Sequence, residues 1–400
     1  MRFVARLLAG EVSRAARSFP AVVLTGPRRT GKTTLLRRLF PKASYVLLED
    51  PEVVARLASD PRTFLDSLKT PAILDEIQNV PELLAHVRAR IDAAPGRRGQ
   101  WLITGSQEAG LMRGVTESMA GRAALLALGP LSVLESSKVS LLRGGFPEVV
   151  AQPRTASLWF SSYVQTYLER DVRAVTAIKD LSSFRRFMAL VASRTGQMLN
   201  RSDLAGPLGV SVPTISEWLS ALEVTGQILV VPQYFENVGK RLVKSPKLFL
   251  ADSGLACHLL GIESEAELSR SPFLGPLFEG FLAAEILKVQ AGLGRRREIY
   301  TFRDQQGLEV DFVVPQGNGR VSLVEAKATR TPQPAHAASL LRLADAFAKK
   351  GQPVDSALVV HRGIEEDAAR GALVPGVSAR TVREALGDLA PRGAKLVAKR

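Results

Sequence analysis

The sequence predicts an α/β protein: a helix-covered parallel sheet, then a helical segment, a two-helix unit closed by a hairpin, and a second α/β unit at the C-terminus. Three observations carry this. Over the first 135 residues, short apolar runs alternate with helically spaced stretches, the pattern of a parallel sheet with helices on both faces. The stretch GPRRTGKTT, residues 26–34, stands directly behind the apolar run AVVLT. Beyond residue 260 a helical stretch is followed by three apolar runs, a helix and a further run.

The spacing Gly26, four residues, Gly31, Lys32, Thr33 suits a loop whose backbone N–H groups turn inward around a polyphosphate. Pro27, Arg28, Arg29 and Thr30 fill the loop and Thr34 follows it. Lys32 reaches the outer phosphates and the Thr33 hydroxyl ligates Mg²⁺, so ATP and Mg²⁺ are the expected cofactors. TLLRRLF continues at helical spacing, which sets the phosphates at a helix N-terminus.

Further strands are expected at residues 45–48, 72–74, 101–104 and 124–128. The third strand of the sheet ends in ILDEIQ, where Asp75 can hold the Mg²⁺ shell and Glu76 can polarise the attacking water. Taken alone, two acids after a strand also fit a helix cap with a first-turn acid. The fourth, WLITGS, sets Thr104 and Ser106 at the carboxyl edge, where open α/β sheets bind ligands. Arg122, just before the fifth strand, reads either as a finger completing a neighbouring subunit's site or as an ordinary salt bridge.

GPRRTGKTTLL, LDEIQ, LITGSQ and AGRAALLALGPLSVLE together resemble a prokaryotic family of AAA-type ATPases with a C-terminal DUF4143-type domain, over essentially the whole chain. The resemblance implies ring- or oligomer-forming ATP hydrolysis, with a homo-oligomer the expected partner and Lys32, Thr33, Asp75 and Glu76 in the roles above. Arg170 and Arg173 are the candidates for a second sensor arginine.

From Gly145 the pattern turns helical, and Phe160, Tyr163, Val164, Tyr167 and Leu168 recur at steps of three and four, a lid core. SDLAGPLGV and VPTISEWLSALEVTG then read as two helices joined by a tight turn, and the following hairpin makes a winged helix-turn-helix. The second helix turns Ile215, Leu219 and Leu222 inward; its outward Thr214, Ser216, Glu217 and Ser220 include no base-reading arginine or lysine. The hairpin carries Lys240, Arg241, Lys244 and Lys247, suited to phosphates, so DNA is expected to bind through its backbone with a steep salt dependence. The same unit also reads as an ATPase accessory or subunit contact.

In the last domain Asp311, thirteen intervening residues, then Glu325-Ala-Lys327 puts two carboxylates and a lysine on adjacent strands, able to hold Mg²⁺ beside a phosphodiester. With this order of elements the arrangement resembles the PD-(D/E)xK nuclease fold, in which the first helix adds an acid. Glu279 fits that position; Glu285 competes, falling among Phe278, Phe281, Leu282 and Val289 as an inward acid with a partner. No glutamine follows on the next helix, so a domain that binds DNA without cutting it is the companion reading.

Expected divisions are 1–145 for the ATPase core, 146–195 for the lid, 196–258 for the winged unit and 259–400 for the nuclease-like domain. A net charge of +14 suggests a polyanionic partner. One cysteine, Cys257, excludes an intramolecular disulfide and, with four scattered histidines and no spanning apolar run, points to a cytoplasmic protein that does not engage a membrane. The arginine-rich N-terminus reads as a first amphipathic helix, and the basic tail PRGAKLVAKR as a phosphate-seeking arm. Two functions fit: a DNA-binding ATPase that remodels or cuts DNA, and a signalling ATPase whose downstream domains only recognise partners.

Overall fold

The computed structural model describes residues 3–105, 118–168, 181–234, 245–363 and 371–390. Its first sheet has five parallel strands in the order β2-β3-β4-β1-β5: β1 Ala21–Thr25, β2 Ser44–Leu47, β3 Ala72–Asp75, β4 Trp101–Thr104 and β5 Ala123–Ala127. Strands β1, β3 and β4 are buried throughout, as parallel strands covered on both faces must be. Helices α1 Ala9–Ser18, α2 Lys32–Leu39, α3 Pro51–Ser59, α4 Pro61–Ser67 and α5 Leu83–Ala93 supply the covering layers. Their two cores gather around Val22, Leu24 and Leu35 on one face and Val23, Leu74 and Ile103 on the other.

Helix starts follow the local chemistry. Asp50 and Asp60 cap α3 and α4 through their first backbone amides, each ahead of a proline. Strand β1 lies between β4 and β5, so the chain order reverses on either side of it. Its carboxyl end is therefore the crevice of the sheet, and Gly26 begins there.

The middle of the chain runs through α6 Pro147–Ala151, α7 Ala156–Tyr163, α8 Leu181–Ser193, β6 Gln197–Met198, α9 Arg201–Ala205, α10 Val212–Val224, β7 Ile228–Val231 and β8 Lys247–Leu250. Ser211 caps α10, and Ile215, Leu219 and Leu222 lie inward on it. Strands β6, β8 and β7 form an antiparallel three-stranded sheet in that order. Phe160, Tyr163 and Val164 are buried; Arg170 and Arg173 fall outside the described residues.

Helices α11 Ser253–Leu259, α12 Glu265–Arg270 and α13 Leu274–Gly292 lead to a second sheet of six strands in the order β13-β14-β12-β11-β10-β9. Here β9 Tyr300–Arg303, β10 Glu309–Gly317 and β11 Arg320–Lys327 form an antiparallel meander. Helix α14 Ala338–Lys349 and strand β12 Val354–His361 follow in the expected order, and β12 pairs parallel to β11. Strands β13 Gly371–Val374 and β14 Val377–Thr381 and helix α15 Val382–Leu389 extend the sheet beyond that expectation. The basic tail lies outside the described residues. One apolar core runs without a break from Leu131 through Phe184, Trp218, Phe249 and Phe281 to Leu389, so the middle segment and the C-terminal unit share a single interior. No helix among the described residues is long and apolar enough to cross a membrane.

Candidate functional site

The loop at the end of β1 is shaped by its glycines. Gly26 has φ 139°, and a Cβ there would stand 2.2 Å from the Leu128 carbonyl oxygen, so only glycine fits between the loop and β5. Gly31, at φ 90°, turns the chain into α2. Lys32 is buried, its ammonium donating to the Gly26 and Pro27 carbonyls at 3.0 Å each, while the Thr30 hydroxyl donates to the Pro27 carbonyl at 3.0 Å. Thr33 donates to Asp75 Oδ1 at 2.7 Å. A loop hydroxyl and a strand-end carboxylate from residues far apart in sequence therefore share one point, a pair of oxygens that fits Mg²⁺. Thr34 faces solvent on the first turn of α2.

Two further groups fix Asp75. Thr104, at the end of β4, donates to Oδ1, and the Tyr45 hydroxyl from β2 donates to Oδ2 at 2.7 Å. Burial, then the bond to Asp75, raises the Tyr45 hydroxyl above its usual range, so it stays protonated and remains a donor. On its edge strand Tyr45 carries no motif, so its role shows only in the fold, where the hydroxyl meets Asp75.

Glu76 has φ 60°, a left-handed backbone that a β-carbon disfavours. Its N–H donates to Thr104 Oγ1 at 3.1 Å, and its carboxylate accepts from the Gln78 side chain. The buried Arg28 guanidinium sits 3.8 Å from Glu76 and 3.5 Å from Glu49, so this loop arginine faces acids. Arg29 reaches Glu148 of α6 at 3.6 Å, and burial raises that carboxyl above its usual range.

Arg6 is another residue without a motif. Buried ahead of α1, it donates to the Thr30 carbonyl at 2.7 Å, to the Gly129 carbonyl at 2.7 Å and to Glu135 at 3.1 Å. It ties the phosphate loop to the segment leaving the sheet. Arg122 lies elsewhere: its carbonyl accepts from the Ala21 N–H at the amino edge, opposite the loop, and its guanidinium clasps Asp92 at 2.6 and 3.0 Å. It does not reach the nucleotide site of its own chain, because β5 runs parallel to β1 and starts at the far edge. Use as a trans-acting finger would require breaking this pair. Ser106 falls outside the described residues.

The second constellation gathers within the C-terminal sheet, where β10 begins and β11 ends. The register pairs Phe312 with Val324, which brings Asp311 beside Glu325, and Asp311 Oδ2 accepts from the Ala326 N–H at 2.8 Å. Glu325 Oε1 accepts from Lys327 at 2.6 Å, while its Oε2 is buried with no partner. Burial, then the nearby Asp311 charge, pushes the Glu325 carboxyl up to about 7. The same two causes push Glu279 up to about 8.

Lys247 departs from expectation. The sequence pattern places it on a DNA-facing hairpin, but its side chain is only 9% exposed, and its ammonium lies 2.8 Å from Glu279, 2.8 Å from Glu309 and 3.8 Å from Asp311. The reason is register: β8 pairs between β6 and β7, and alternation turns residues 247 and 249 toward the C-terminal unit. Burial would lower the Lys247 ammonium, but the charges of Glu279 and Asp311 outweigh it and hold it above its usual range. Lys240, Arg241 and Lys244 lie outside the described residues. Glu285 is the inward acid with a partner. Fully buried, it accepts from Ser132 Oγ at 2.6 Å, the Val133 N–H at 2.9 Å and Lys288 at 2.8 Å.

Divalent metal does not fit the acids Glu279, Asp311 and Glu325 in this arrangement, because an ammonium already sits among them. Among the described residues, no group of three or more His, Cys, Asp and Glu side chains is arranged to hold a metal ion.

Comparison with known proteins matches residues 18–137 to an AAA domain, 135–266 to a domain of unknown function (DUF8612) and 274–375 to a domain of unknown function (DUF4143). Two uncharacterized proteins, from Mycobacterium bovis and Mycobacterium tuberculosis, are each 34% identical over 332 residues, 81% of this chain and 74% of theirs. Among solved structures, the Walker-type ATPase of Pyrococcus abyssi matches at 15% identity and a TM-score of 0.43, covering 63% of this chain and 94% of that one. DnaA of Aquifex aeolicus with bound AMPPCP matches at 12% identity and a TM-score of 0.28, covering 54% and 86%.

Proposed function

We propose, given that the chain belongs to the family of AAA-type ATPases with a C-terminal DUF4143-type domain, that it couples Mg²⁺-dependent ATP hydrolysis to engagement of DNA. In this reading the C-terminal domain recognises its partner and does not cut it. The observation that carries the nucleotide half is the 2.7 Å contact between Thr33 and Asp75. These two residues would hold the Mg²⁺, which supplies charge neutralisation at the outer phosphates. Lys32 leaves the Gly26 and Pro27 carbonyls to meet the phosphates, and the loop N–H groups orient them. Glu76 accepts the proton of the attacking water once its carboxylate parts from Gln78 and Arg28. Oligomer formation, with Arg122 as one candidate contact, belongs to the same proposal.

The DNA half rests on the net charge of +14 and on Lys240, Arg241 and Lys244, which lie close together in the sequence. Cutting is the weaker reading, since Lys247 stands where the carboxylates would need a metal. The test is fluorescence anisotropy with duplex and single-stranded DNA across a salt series. Binding that weakens steeply with salt, and that flattens when Lys240, Arg241 and Lys244 are neutralised together, is the expected result. An unchanged salt slope in that variant would remove DNA from the proposal.

A further inference from the structure

We infer that Lys247 is the resident cation of the C-terminal acidic centre: its ammonium sits against Glu279 and Asp311, where a nuclease-like centre would need a divalent metal, and that charge is what keeps the metal out. The inference rests on reading these carboxylates as a nuclease-like centre, and it goes further by naming what holds that centre metal-free.

The seat is built rather than incidental. Lys247 belongs to β8 of the three-stranded sheet, whereas its partners lie on α13 and β10 of the C-terminal unit. Two residues on, fully buried Phe249 packs over Gly280 of α13, where a Cβ would stand 3.1 Å from its ring. The Phe249 ring also lies 6.2 Å from that of Phe312 on β10. Lys247 and Phe249 share a face of the strand, so the contact that anchors β8 also inserts the ammonium between Glu279 and Asp311.

Charge and space both favour exclusion of a metal. Oxygen ligands approach Mg²⁺ at about 2.0–2.1 Å. An ammonium 2.8 Å from Glu279 and from Glu309 occupies that volume. Lys247 and Lys327 together do not satisfy the acids around them: Lys327 pairs with Glu325 Oε1 at 2.6 Å, yet the buried Glu325 Oε2, on the strand beside Asp311, has no hydrogen-bond partner. An unfilled carboxylate oxygen next to a monovalent occupant is the position a second positive charge would use.

The test is Mn²⁺ binding by electron paramagnetic resonance to the full chain without nucleotide, comparing wild type, Lys247→Met and Lys247→Met with Asp311→Asn. Methionine keeps the apolar stem and removes the charge. Lys247→Met is expected to gain about one Mn²⁺ per chain relative to wild type, and Asp311→Asn to remove the gain. Mn²⁺ should also raise the melting temperature of Lys247→Met and leave that of wild type unchanged. Lys247→Gln is a second variant should methionine disturb folding, and recovery of either variant by Mn²⁺ counts as support. A wild-type Mn²⁺ site that Asp311→Asn abolishes, or no gain in both neutral variants, would overturn the inference. Phosphodiester cleavage by Lys247→Met in Mn²⁺ tests the nuclease reading separately, since metal binding without cleavage sinks that reading and leaves the role of Lys247 intact.

Discussion

Asp75 is held by three hydroxyls, from Thr33, Thr104 and Tyr45, and each leaves its carboxylate less freedom to wander. Removing the Tyr45 hydroxyl as Tyr45→Phe should slow ATP hydrolysis about 10-fold, the scale of a lost bond to a charged group, without weakening metal-free nucleotide binding. Turnover and binding measured on the same preparation check both halves. Glu76 offers a backbone test, because its φ of 60° strains any residue with a β-carbon. Both Glu76→Gly and Glu76→Ala should lose hydrolysis, but the glycine variant should be the more stable by about 1 kcal/mol in urea unfolding. Cys257 is a third case: burial pushes its thiol up to about 12, so it should resist alkylation at pH 8 until the chain unfolds. Its ordinary value is 9.0, so the unfolded thiol ionises first, and the stability it contributes should be lost as pH rises from about 9 to about 12.

At the level of elements, much was legible because local chemistry and tertiary context agree. The apolar run before Gly26, the helical TLLRRLF after it and the strand ending at Asp75 each have a pattern that leaves few alternatives. The inward stripe of α10 is equally plain, since Ile215, Leu219 and Leu222 recur at steps of three and four and all three are buried. Lys247 shows where such reading stops. A lysine among basic hairpin residues looks solvent-bound, and only the pairing of β8 with β6 and β7 sends it inward toward Glu279. Tyr45 and Arg6 were missed for a related reason, as both act through partners distant in sequence. Glu285 was readable as an inward acid from its helical face, but its Ser132 and Val133 partners were not.

On the scale of the whole molecule, a buried polar path runs from the phosphate loop to the helix that carries Glu279. Arg6 binds the Thr30 carbonyl of the phosphate loop and Glu135; Glu135 accepts from the Ser132 N–H; Ser132 donates to Glu285 of α13, the helix that also carries Glu279. Glu285→Ala would leave Lys288 and the Ser132 hydroxyl without their buried acceptor and should cost about 3 kcal/mol, read by denaturant unfolding. The continuous core from Leu131 to Leu389 means that this path crosses packed interior on its C-terminal side.

The nucleotide site is the premise for everything downstream, and the direct measurement is steady-state Mg²⁺-ATP hydrolysis by wild type and Lys32→Ala, each with and without duplex DNA. Turnover that rises with DNA in wild type and falls at least about 100-fold in Lys32→Ala is the expected result, as for loss of a charge placed on the outer phosphates. Turnover retained in Lys32→Ala, or no turnover in wild type with or without DNA, would contradict it.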